Sequence, residues 1–156
     1  MLSRRLRARV PSAMRVATGF VSEHRLTFDK VSTDGSGKCD AEKTSMAEDR
    51  VYGVVYEIDD AEKPALDRAE GLRKGYAEKC LEVITDSGQI TAGAYYATHK
   101  NTSLKPYHWY KDLVLAGARE HSLPANYVEV IEKVDSVKDP DSGRCARERR
   151  FLADNG

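Results

Sequence analysis

The sequence predicts an α+β fold, as the order and patterning of its segments indicate. Most of the chain consists of short runs that are rich in β-branched and aromatic residues or alternate between apolar and polar residues, which is typical of strands. Capping residues and apolar residues at helical spacing indicate helices among the strands and near the end of the chain. This order favours the α+β class, and 156 residues correspond to one domain.

Five strands are predicted, and the third gives the clearest signal. They comprise residues 14–21, 25–31, 51–58, 76–85 and 89–98. The third run is almost continuously apolar, so we expect a central strand that is covered on both faces. Gly53 within it predicts a β-bulge or the close approach of another group. The last two strands form a hairpin around Asp86-Ser87-Gly88.

Three helices are predicted from capping signals and apolar stripes. The first covers about residues 61–70, follows an Asp-Asp N-cap and ends before Gly71, a residue suited to the C′ position. The second is opened by Pro106 and runs to about His121, with a face that includes the single tryptophan. The third starts at Pro124 and carries an apolar stripe.

The remaining segments are polar and have no clear period. Residues 34–37, Asp-Gly-Ser-Gly, are predicted to form a loop, and the stretch 38–50 is left without an assignment. From Lys138 onward the chain is polar, and we expect this tail to contribute little to the core. The predicted organisation is one domain over residues 1–137 and a polar C-terminal tail over residues 138–156.

The start of the chain is basic. Residues 1–22 contain five arginines and no acidic residue, a composition typical of a mitochondrial presequence. The same residues also fit a short surface helix that ends before Pro11, because the residue before a proline avoids the α region. These two interpretations stay open on composition alone.

Composition and charge exclude several classes of protein. The chain carries 25 basic and 25 acidic side chains, and this zero net charge argues against a general nucleic-acid binder. With 40% hydrophobic and 32% charged residues, the composition is that of a soluble globular protein. No apolar run approaches the roughly 20 residues that a membrane span needs. We therefore expect no nucleic-acid partner and no membrane partner.

The cysteines and histidines form no recognisable ligand motif. Three separated cysteines favour free thiols in a reducing cytoplasm over a disulfide framework. His24, His99, His108 and His121 stand singly, so we expect surface or loop histidines and no metal site. Gly35-Ser36-Gly37-Lys38 is only part of a phosphate-loop pattern, because the full G-x-x-x-x-G-K-[ST] spacing is absent.

Glu70 is the carboxylate with the most distinctive position. It falls in the last turn of the first predicted helix, directly before Gly71. The negative end of the helix dipole disfavours an ionised glutamate there. A carboxyl group in such a place suits a general base or a proton shuttle near neutral pH, although a solvated glutamate at a helix end is the alternative.

Several segments together resemble the gamma-glutamylcyclotransferase family. They are Val51-Tyr52-Gly53-Val54-Val55-Tyr56, Leu66-Asp67-Arg68-Ala69-Glu70-Gly71, Gly75-Tyr76, Ala94-Tyr95-Tyr96-Ala97-Thr98, Tyr110-Lys111 and Gly117-Ala118-Arg119-Glu120-His121-Ser122-Leu123-Pro124. The resemblance covers roughly Arg4 to Val134 and depends on the order and spacing of the segments. It implies a mainly antiparallel, barrel-like mixed sheet with flanking helices.

The resemblance also implies a reaction and a set of site residues. The family releases an amine or amino acid from a γ-glutamyl substrate and forms 5-oxoproline, without cofactor or metal. Its catalytic glutamate matches Glu70, which would act as general acid and base. Tyr110 matches a tyrosine of the family's substrate pocket, and Tyr95 and Tyr76 are further substrate-binding candidates. Core or rim packing is the alternative role for these tyrosines.

The sequence departs from the family at one motif. The family carries a Tyr-Gly-Ser-Asn loop, which binds substrate, and this tetrapeptide is absent from the chain. We expect that the domain lacks its first strand and this loop, and that the arginine-rich start then belongs to the domain. A catalytically inactive binding or structural protein of the same fold is therefore the alternative to a cytoplasmic enzyme. A sheet edge opened in this way would favour a homodimer, but the sequence does not fix the oligomeric state.

Overall fold

The computed structural model describes residues 2–153 and has the predicted α+β class. Its strands are β1 (Met14–Ser22), β2 (His24–Val31), β3 (Gly37–Lys43), β4 (Arg50–Glu57), β5 (Tyr76–Thr85) and β6 (Gly88–Ala97). Its helices are α1 (Ser3–Arg7), α2 (Lys63–Glu70), α3 (His108–Glu120), α4 (Ala125–Glu132) and α5 (Ser142–Arg149). Short 3₁₀ turns cover Asp60–Glu62 and Arg150–Leu152. Met1 and residues 154–156, the end of the predicted tail, lie outside the described residues.

The strands form two antiparallel sheets. A four-stranded sheet has the order β4-β1-β5-β6, and β2 pairs with β3 in a separate two-stranded sheet. Every ladder between these strands is antiparallel. Strand β3 lies beside β6, where Asp40 Oδ1 accepts a hydrogen bond from Ala97 N at 2.8 Å. Among the described residues, strand β2 meets the chain after β6 only in one isolated bridge, between Lys30 and Lys100. The described strands therefore form two separate sheets and no closed barrel.

Strand β3 falls in the stretch that the sequence left unassigned. It is short and polar, and its inward positions include Asp40, which is 6% exposed. A buried carboxylate where an apolar residue is usual removes the alternation that identifies a strand. The hydrogen bond to the backbone of β6 satisfies this carboxylate in place of water.

Strand β4 is the strong apolar run, but the prediction of a central position was wrong. In the described residues β4 pairs with β1 only and forms the edge of its sheet. Its apolar side chains pack against other elements: the Tyr52 ring is tilted against the rings of Phe20 and Tyr127, with centroid distances of 5.5 and 5.1 Å. Contact with helix α4 and with the cavity described below therefore explains its apolar composition.

The bulge predicted at Gly53 lies elsewhere. The register of the β1–β4 pair shifts between Arg15 and Ala17, whereas Gly53 pairs regularly with Gly19. A Cβ added at Gly53 would meet no atom within 4 Å. The close approach occurs at Gly19 instead, where a Cβ would collide with the carbonyl oxygen of Ile84 in β5.

The core is built around helix α3. Leu115 and Ala118 of this helix pack with Ile131 of α4 and with Phe28 of β2. On another part of α3, Trp109 and Leu113 form a second cluster with Leu2 and Tyr107. No helix in residues 2–153 is long and apolar enough to cross a membrane.

The expectation that the tail adds little to the core was wrong. Helix α5 and the following 3₁₀ turn pack against α3, with Cys145, Phe151 and Leu152 in contact with the Trp109 cluster. Asp139 is 4% exposed, and its carboxylate accepts a hydrogen bond from Trp109 Nε1 at 2.7 Å. A few apolar side chains and one buried carboxylate are enough to hold a polar segment on the domain. The boundary between residues 137 and 138 stays a prediction.

Two of the four histidines are not surface or loop residues as expected. His24 and His121 are 6% and 8% exposed, whereas His99 and His108 are exposed. The His121 ring nitrogen Nε2 lies 3.1 Å from Ser3 Oγ and 2.9 Å from Tyr56 OH. Both buried imidazoles have polar partners, which is the usual condition for burying such a group. In this way His121 connects α1 with β4 and α3.

Candidate functional site

A cavity of about 1020 Å³ lies between the two sheets and helices α2, α3 and α4. The four site residues predicted from the sequence all line it: Glu70, Tyr76, Tyr95 and Tyr110. They come from the end of α2, from neighbouring strands β5 and β6, and from the first turn of α3. The fold therefore brings together residues that are up to 40 positions apart in the chain.

Glu70 owes its place to the way in which α2 ends. Gly71 follows with φ +78°, a left-handed conformation that glycine adopts without steric cost. Its N–H donates to Arg68 O, and the N–H of Leu72 donates to Asp67 O at 2.9 Å, which is a Schellman arrangement. The helix stops there, and the Glu70 side chain, 20% exposed, faces the cavity.

Arg9 holds the Glu70 carboxylate. Its Nη1 lies 3.2 Å from Glu70 Oε1, and its side chain is 27% exposed. Burial lowers the pKa of Arg9, as does the neighbouring Arg5, while Glu70 opposes that shift. The sequence had grouped Arg9 with a basic leader or a surface helix, because nothing local shows that a partner 61 positions away will meet it.

Tyr76 and Tyr110 bind the two backbone groups of one residue of β3, Cys39. Tyr76 OH donates to Cys39 O at 2.6 Å, and Cys39 N donates to Tyr110 OH at 3.1 Å. Burial raises the pKa of both tyrosines, and burial raises the pKa of the Cys39 thiol to about 12. Both hydroxyls are thus neutral near pH 7, and both rings remain part of the cavity wall.

Tyr95 connects β6 to the helix that carries Glu70. Its OH donates to Asp67 Oδ1 at 2.6 Å, and Asp67 also pairs with Lys63. Lys63 in turn lies 2.9 Å from Glu78 of β5. Burial and the hydrogen bond to Asp67 raise the pKa of Tyr95 to about 12, so the hydroxyl stays a donor. This network fixes α2 against the hairpin of β5 and β6.

Lys38 lies in another part of the cavity wall, next to a carboxylate and two aromatic rings. Its Nζ lies 2.7 Å from Asp34 Oδ2 and 2.7 Å from Ser36 Oγ, and 4.6 Å from the ring centroids of Trp109 and Tyr110. Burial raises the pKa of Asp34, but hydrogen bonds from Lys38 and Ser36 outweigh it and lower the pKa to about 2. The residues after Ser36 begin strand β3, so no helix follows the Gly-Ser-Gly-Lys segment.

Sequence reasoning missed the basic residues of the cavity. They are Arg5, Arg9, Lys30, Lys38, Lys63 and Arg144. One signal was present in β2, where the charged residues Asp29 and Lys30 follow each other inside the predicted strand and interrupt its alternation. Both side chains are buried in the structure. Within residues 2–153, no group of three or more His, Cys, Asp or Glu side chains is arranged to hold a metal ion.

Comparison with known proteins identifies relatives across most of the chain. A bovine (Bos taurus) and a human (Homo sapiens) gamma-glutamylcyclotransferase are 27% and 29% identical to it over 140 and 141 residues. Each alignment covers 86% of this chain and 74% of the relative. The resemblance inferred from the ordered segments is thereby confirmed.

Solved structures have the same fold. A human protein described as uncharacterized superposes with a TM-score of 0.79 at 26% identity, covering 87% of this chain and 83% of its own. A gamma-glutamyl cyclotransferase superposes with a TM-score of 0.82 at 23% identity, covering 94% and 92% of the two chains. The sequence model of the AIG2-like family matches residues 50–131, more than half of the chain. This protein therefore belongs to the AIG2-like family.

Proposed function

We propose that this protein is a gamma-glutamylcyclotransferase, which releases 5-oxoproline and an amine or amino acid from a γ-glutamyl substrate. The observation that carries the proposal is the position of Glu70. It stands at the end of α2, before the left-handed Gly71, and faces a cavity large enough for a γ-glutamyl dipeptide. The relatives that bear the name of this enzyme support the same activity.

In the proposed mechanism, Glu70 carries one proton through the reaction. The carboxylate takes a proton from the α-ammonium group of the substrate, and the free amine attacks the γ-carbonyl carbon. A C–N bond forms, closing a five-membered ring, and a tetrahedral intermediate results. Glu70 then gives the proton to the departing nitrogen as the bond from that nitrogen to the γ-carbon breaks. The ring nitrogen gives up the second proton of the attacking amine, and the released amine takes up that proton as an ammonium group. The products are 5-oxoproline and the protonated amine or amino acid, with no net change in protons at Glu70.

The protein's main task in such a reaction is to hold the substrate in a cyclising conformation. The nucleophile already belongs to the substrate, so correct placement supplies much of the rate. Arg9 positions the Glu70 carboxylate, and the hydrogen bond from Tyr95 to Asp67 fixes the helix behind it. The rings of Tyr76 and Tyr110 supply apolar walls for the glutamyl chain.

The deciding experiment compares 5-oxoproline release by the wild-type protein and by Glu70→Gln. We expect the variant to be slower by about 10²–10⁴-fold, the range for removal of a general acid–base group. Glu129→Gln is the matched control, since Glu129 is an exposed glutamate of α4 outside the cavity. Thermal unfolding of the three proteins verifies that each is folded. Equal release by wild type and Glu70→Gln would exclude the role given to Glu70.

A binding or structural protein of the same fold without turnover is the second candidate. What favours it is the absence of Tyr-Gly-Ser-Asn from the sequence, because backbone donors for the oxyanion contribute about 10²–10³ in rate. Binding of a γ-glutamyl ligand by the wild type, with no 5-oxoproline formed, would favour this candidate over the enzyme.

The substrate remains to be chosen among γ-glutamyl-amino acids, γ-glutamylamines and glutathione. Parallel assays of 5-oxoproline release from one member of each group would rank them by kcat/KM. We also propose a cytoplasmic location, because a reducing compartment suits three thiols without disulfide partners. Monomer and homodimer are the two alternatives for the oligomeric state, and a sedimentation measurement distinguishes them.

A further inference from the structure

Lys30 is buried in the cavity wall without a partner for its charge. The residue is 7% exposed, and its side chain lines the cavity. Within the described part of the chain its ammonium makes no hydrogen bond or ion pair, and its contact is the ring of Tyr76, with Nζ 4.5 Å from the centroid. An ammonium group removed from water normally finds oxygen acceptors, because the loss of hydration is costly. A ring face replaces only part of that hydration.

The other basic side chains of the cavity are all neutralised. Each has a carboxylate oxygen within 3.2 Å: Arg5 with Glu148, Arg9 with Glu70, Lys38 with Asp34, Lys63 with Glu78, and Arg144 with Asp139. Among the described side chains, Lys30 is thus the one cation of the wall without such a partner. The carboxylates whose charge it feels, Asp34 and Glu70, are engaged by Lys38 and Arg9. Burial lowers the pKa of Lys30, against the effect of these two acids.

The backbone around Lys30 makes room for its side chain. The register between β2 and β3 shifts between Thr27 and Lys30, which is the irregularity that re-aims a side chain next to many functional sites. Gly75 lies directly beside the ammonium and has φ +107°. A Cβ at position 75 would stand 3.0 Å from Lys30 Cε and 3.3 Å from Nζ. A glycine at this point therefore keeps the path of the lysine open.

We propose that Lys30 binds the α-carboxylate of the γ-glutamyl substrate and so determines specificity for its amino-acid end. This inference rests on the function proposed above and names the group that recognises the substrate. A γ-glutamyl compound carries its α-amine and its α-carboxylate on the same carbon. One wall of the cavity offers the carboxylate of Glu70, and Lys30 offers an unneutralised ammonium in the same cavity. The two charges complement the two charges of the substrate.

Lys30 also explains how the substrate is oriented. A salt bridge from its ammonium to the α-carboxylate is a charge-assisted contact, and burial in the wall strengthens it. With the carboxylate anchored, the α-amine on the same carbon turns toward Glu70. Lys30 is therefore a substrate-binding residue that acts before the proton transfer, and Glu70 is the residue that moves the proton.

Binding measurements separate this role from catalysis. Titration calorimetry on Glu70→Gln, which is expected to leave the ligand intact, compares γ-glutamyl-L-alanine with 4-aminobutyryl-L-alanine, an analogue that lacks only the α-carboxylate. Adding Lys30→Met to this background is expected to lower the affinity for γ-glutamyl-L-alanine by about 10–100-fold, which corresponds to the loss of a hydrogen bond to a charged group. Affinity for the analogue stays within about 3-fold, since it never used the lysine. Lys30→Arg retains the charge and is expected to recover part of the loss.

Lys133→Met is the matched control, because Lys133 is an exposed lysine outside the cavity. It is expected to change neither affinity, and thermal unfolding verifies that each variant is folded. Equal affinity of the Lys30→Met and parent proteins for γ-glutamyl-L-alanine would overturn the role of Lys30 alone. An equal loss for both ligands would also overturn it. If the wild type and Glu70→Gln bind no γ-glutamyl-L-alanine at all, the proposed function fails, and this inference fails with it.

Discussion

At the residue scale, two tyrosines of the cavity wall combine packing with hydrogen bonding. Tyr76 from β5 and Tyr110 from α3 bind the carbonyl oxygen and the N–H of Cys39, respectively. Each hydroxyl thus satisfies a backbone group of β3 at the place where this strand meets the cavity. The Tyr76 ring also lies beside Lys30. A tyrosine here can therefore influence stability through its hydroxyl and ligand binding through its ring.

Tyr76→Phe separates these two effects. Removing the hydroxyl leaves Cys39 O without its donor, so we expect the free energy of unfolding to fall by about 1 kcal/mol. The ring stays beside Lys30, so affinity for γ-glutamyl-L-alanine should not change. Urea unfolding and calorimetry measure the two quantities.

Tyr96→Phe is the control for Tyr76→Phe. Tyr96 lies in β6, where its ring makes a cation–π contact with Lys79. Within residues 2–153 its hydroxyl makes no hydrogen bond. We expect a smaller change in stability than for Tyr76→Phe. A Tyr76→Phe protein as stable as the wild type would contradict the role assigned to its hydroxyl.

The residues of the site differ in how far the sequence could predict them. Glu70 could be predicted because its signal is local: a carboxylate directly before the glycine that ends a helix. Arg9 and Lys30 could not be predicted, because their roles depend on partners that are distant in the sequence. The tyrosines were named from the family resemblance, and the backbone contacts that they make could not be derived from it.

At the element scale, helix α2 places the site through its ends. Its first turn contains Pro64, which is tolerated there because the first N–H groups have no intrahelical partner. Lys63 and Asp67 fix the helix to the β5–β6 hairpin through Glu78 and Tyr95. The last residue of α2, Glu70, therefore has a defined position in the cavity wall. The length of α2 matters for this position as much as the residue type at its end.

Gly71→Ala tests the termination of α2. A Cβ at this position would be 3.7 Å from the nearest atom, so space is available and the cost is conformational. Holding a non-glycine residue in the left-handed region costs about 1–2 kcal/mol, and we expect urea unfolding to show a loss of that size. Gly71→Asn should lose less, since asparagine tolerates this region better.

Gly53→Ala is the control for Gly71→Ala. A Cβ at position 53 meets no atom within 4 Å, and the backbone there has no positive φ. We expect its stability to equal or exceed that of the wild type. If Gly71→Ala unfolds at the same urea concentration as the wild type, the assigned strain is absent.

Elements that the sequence missed share one property, which is polarity. Strand β3 and helix α5 carry charged residues at positions where the fold buries them or pairs them. Asp141 caps α5 by accepting from Arg144 N at 2.8 Å, a signal that was readable from the sequence. The docking of α5 on α3 was not readable, because it depends on Trp109 and Asp139, which become neighbours only in the folded chain.

At the scale of the whole molecule, we expect acid stability to depend on two carboxylates whose pKa the fold lowers, Asp34 and Asp139. Hydrogen bonds lower the pKa of Asp34 to about 2, and those from Arg144 and Trp109 hold the pKa of Asp139 well below its usual range. The ordinary value for an aspartate is 3.8. A carboxyl group with a depressed pKa in the folded state contributes stability above its unfolded pKa and loses that contribution as the pH falls toward the folded pKa.

We therefore expect the free energy of unfolding to decrease as the pH is lowered from about 4 to about 2. Urea unfolding at several pH values measures this slope. Asp34→Asn should be less stable than the wild type at pH 7 and should show a shallower slope, because one linked group is missing.

Asp135→Asn is the control for the acid series. Its carboxylate is 80% exposed in a surface pair with Lys105, and such pairs contribute little to stability. We expect the wild-type slope for this variant. An Asp34→Asn protein with an unchanged slope would show that this carboxylate is not linked to acid unfolding.

The sequence by itself determined the α+β class, the bounds of most strands and helices, and the place of Glu70 before a helix-ending glycine. These features depend on neighbours in the chain, through periodicity, capping and turn chemistry. The tertiary structure decided which strand forms an edge, how the tail docks, and that Arg9 meets Glu70 while Lys30 keeps its charge free in the cavity. Those features depend on contacts between residues far apart in sequence, whose energies arise only once burial removes the groups from water.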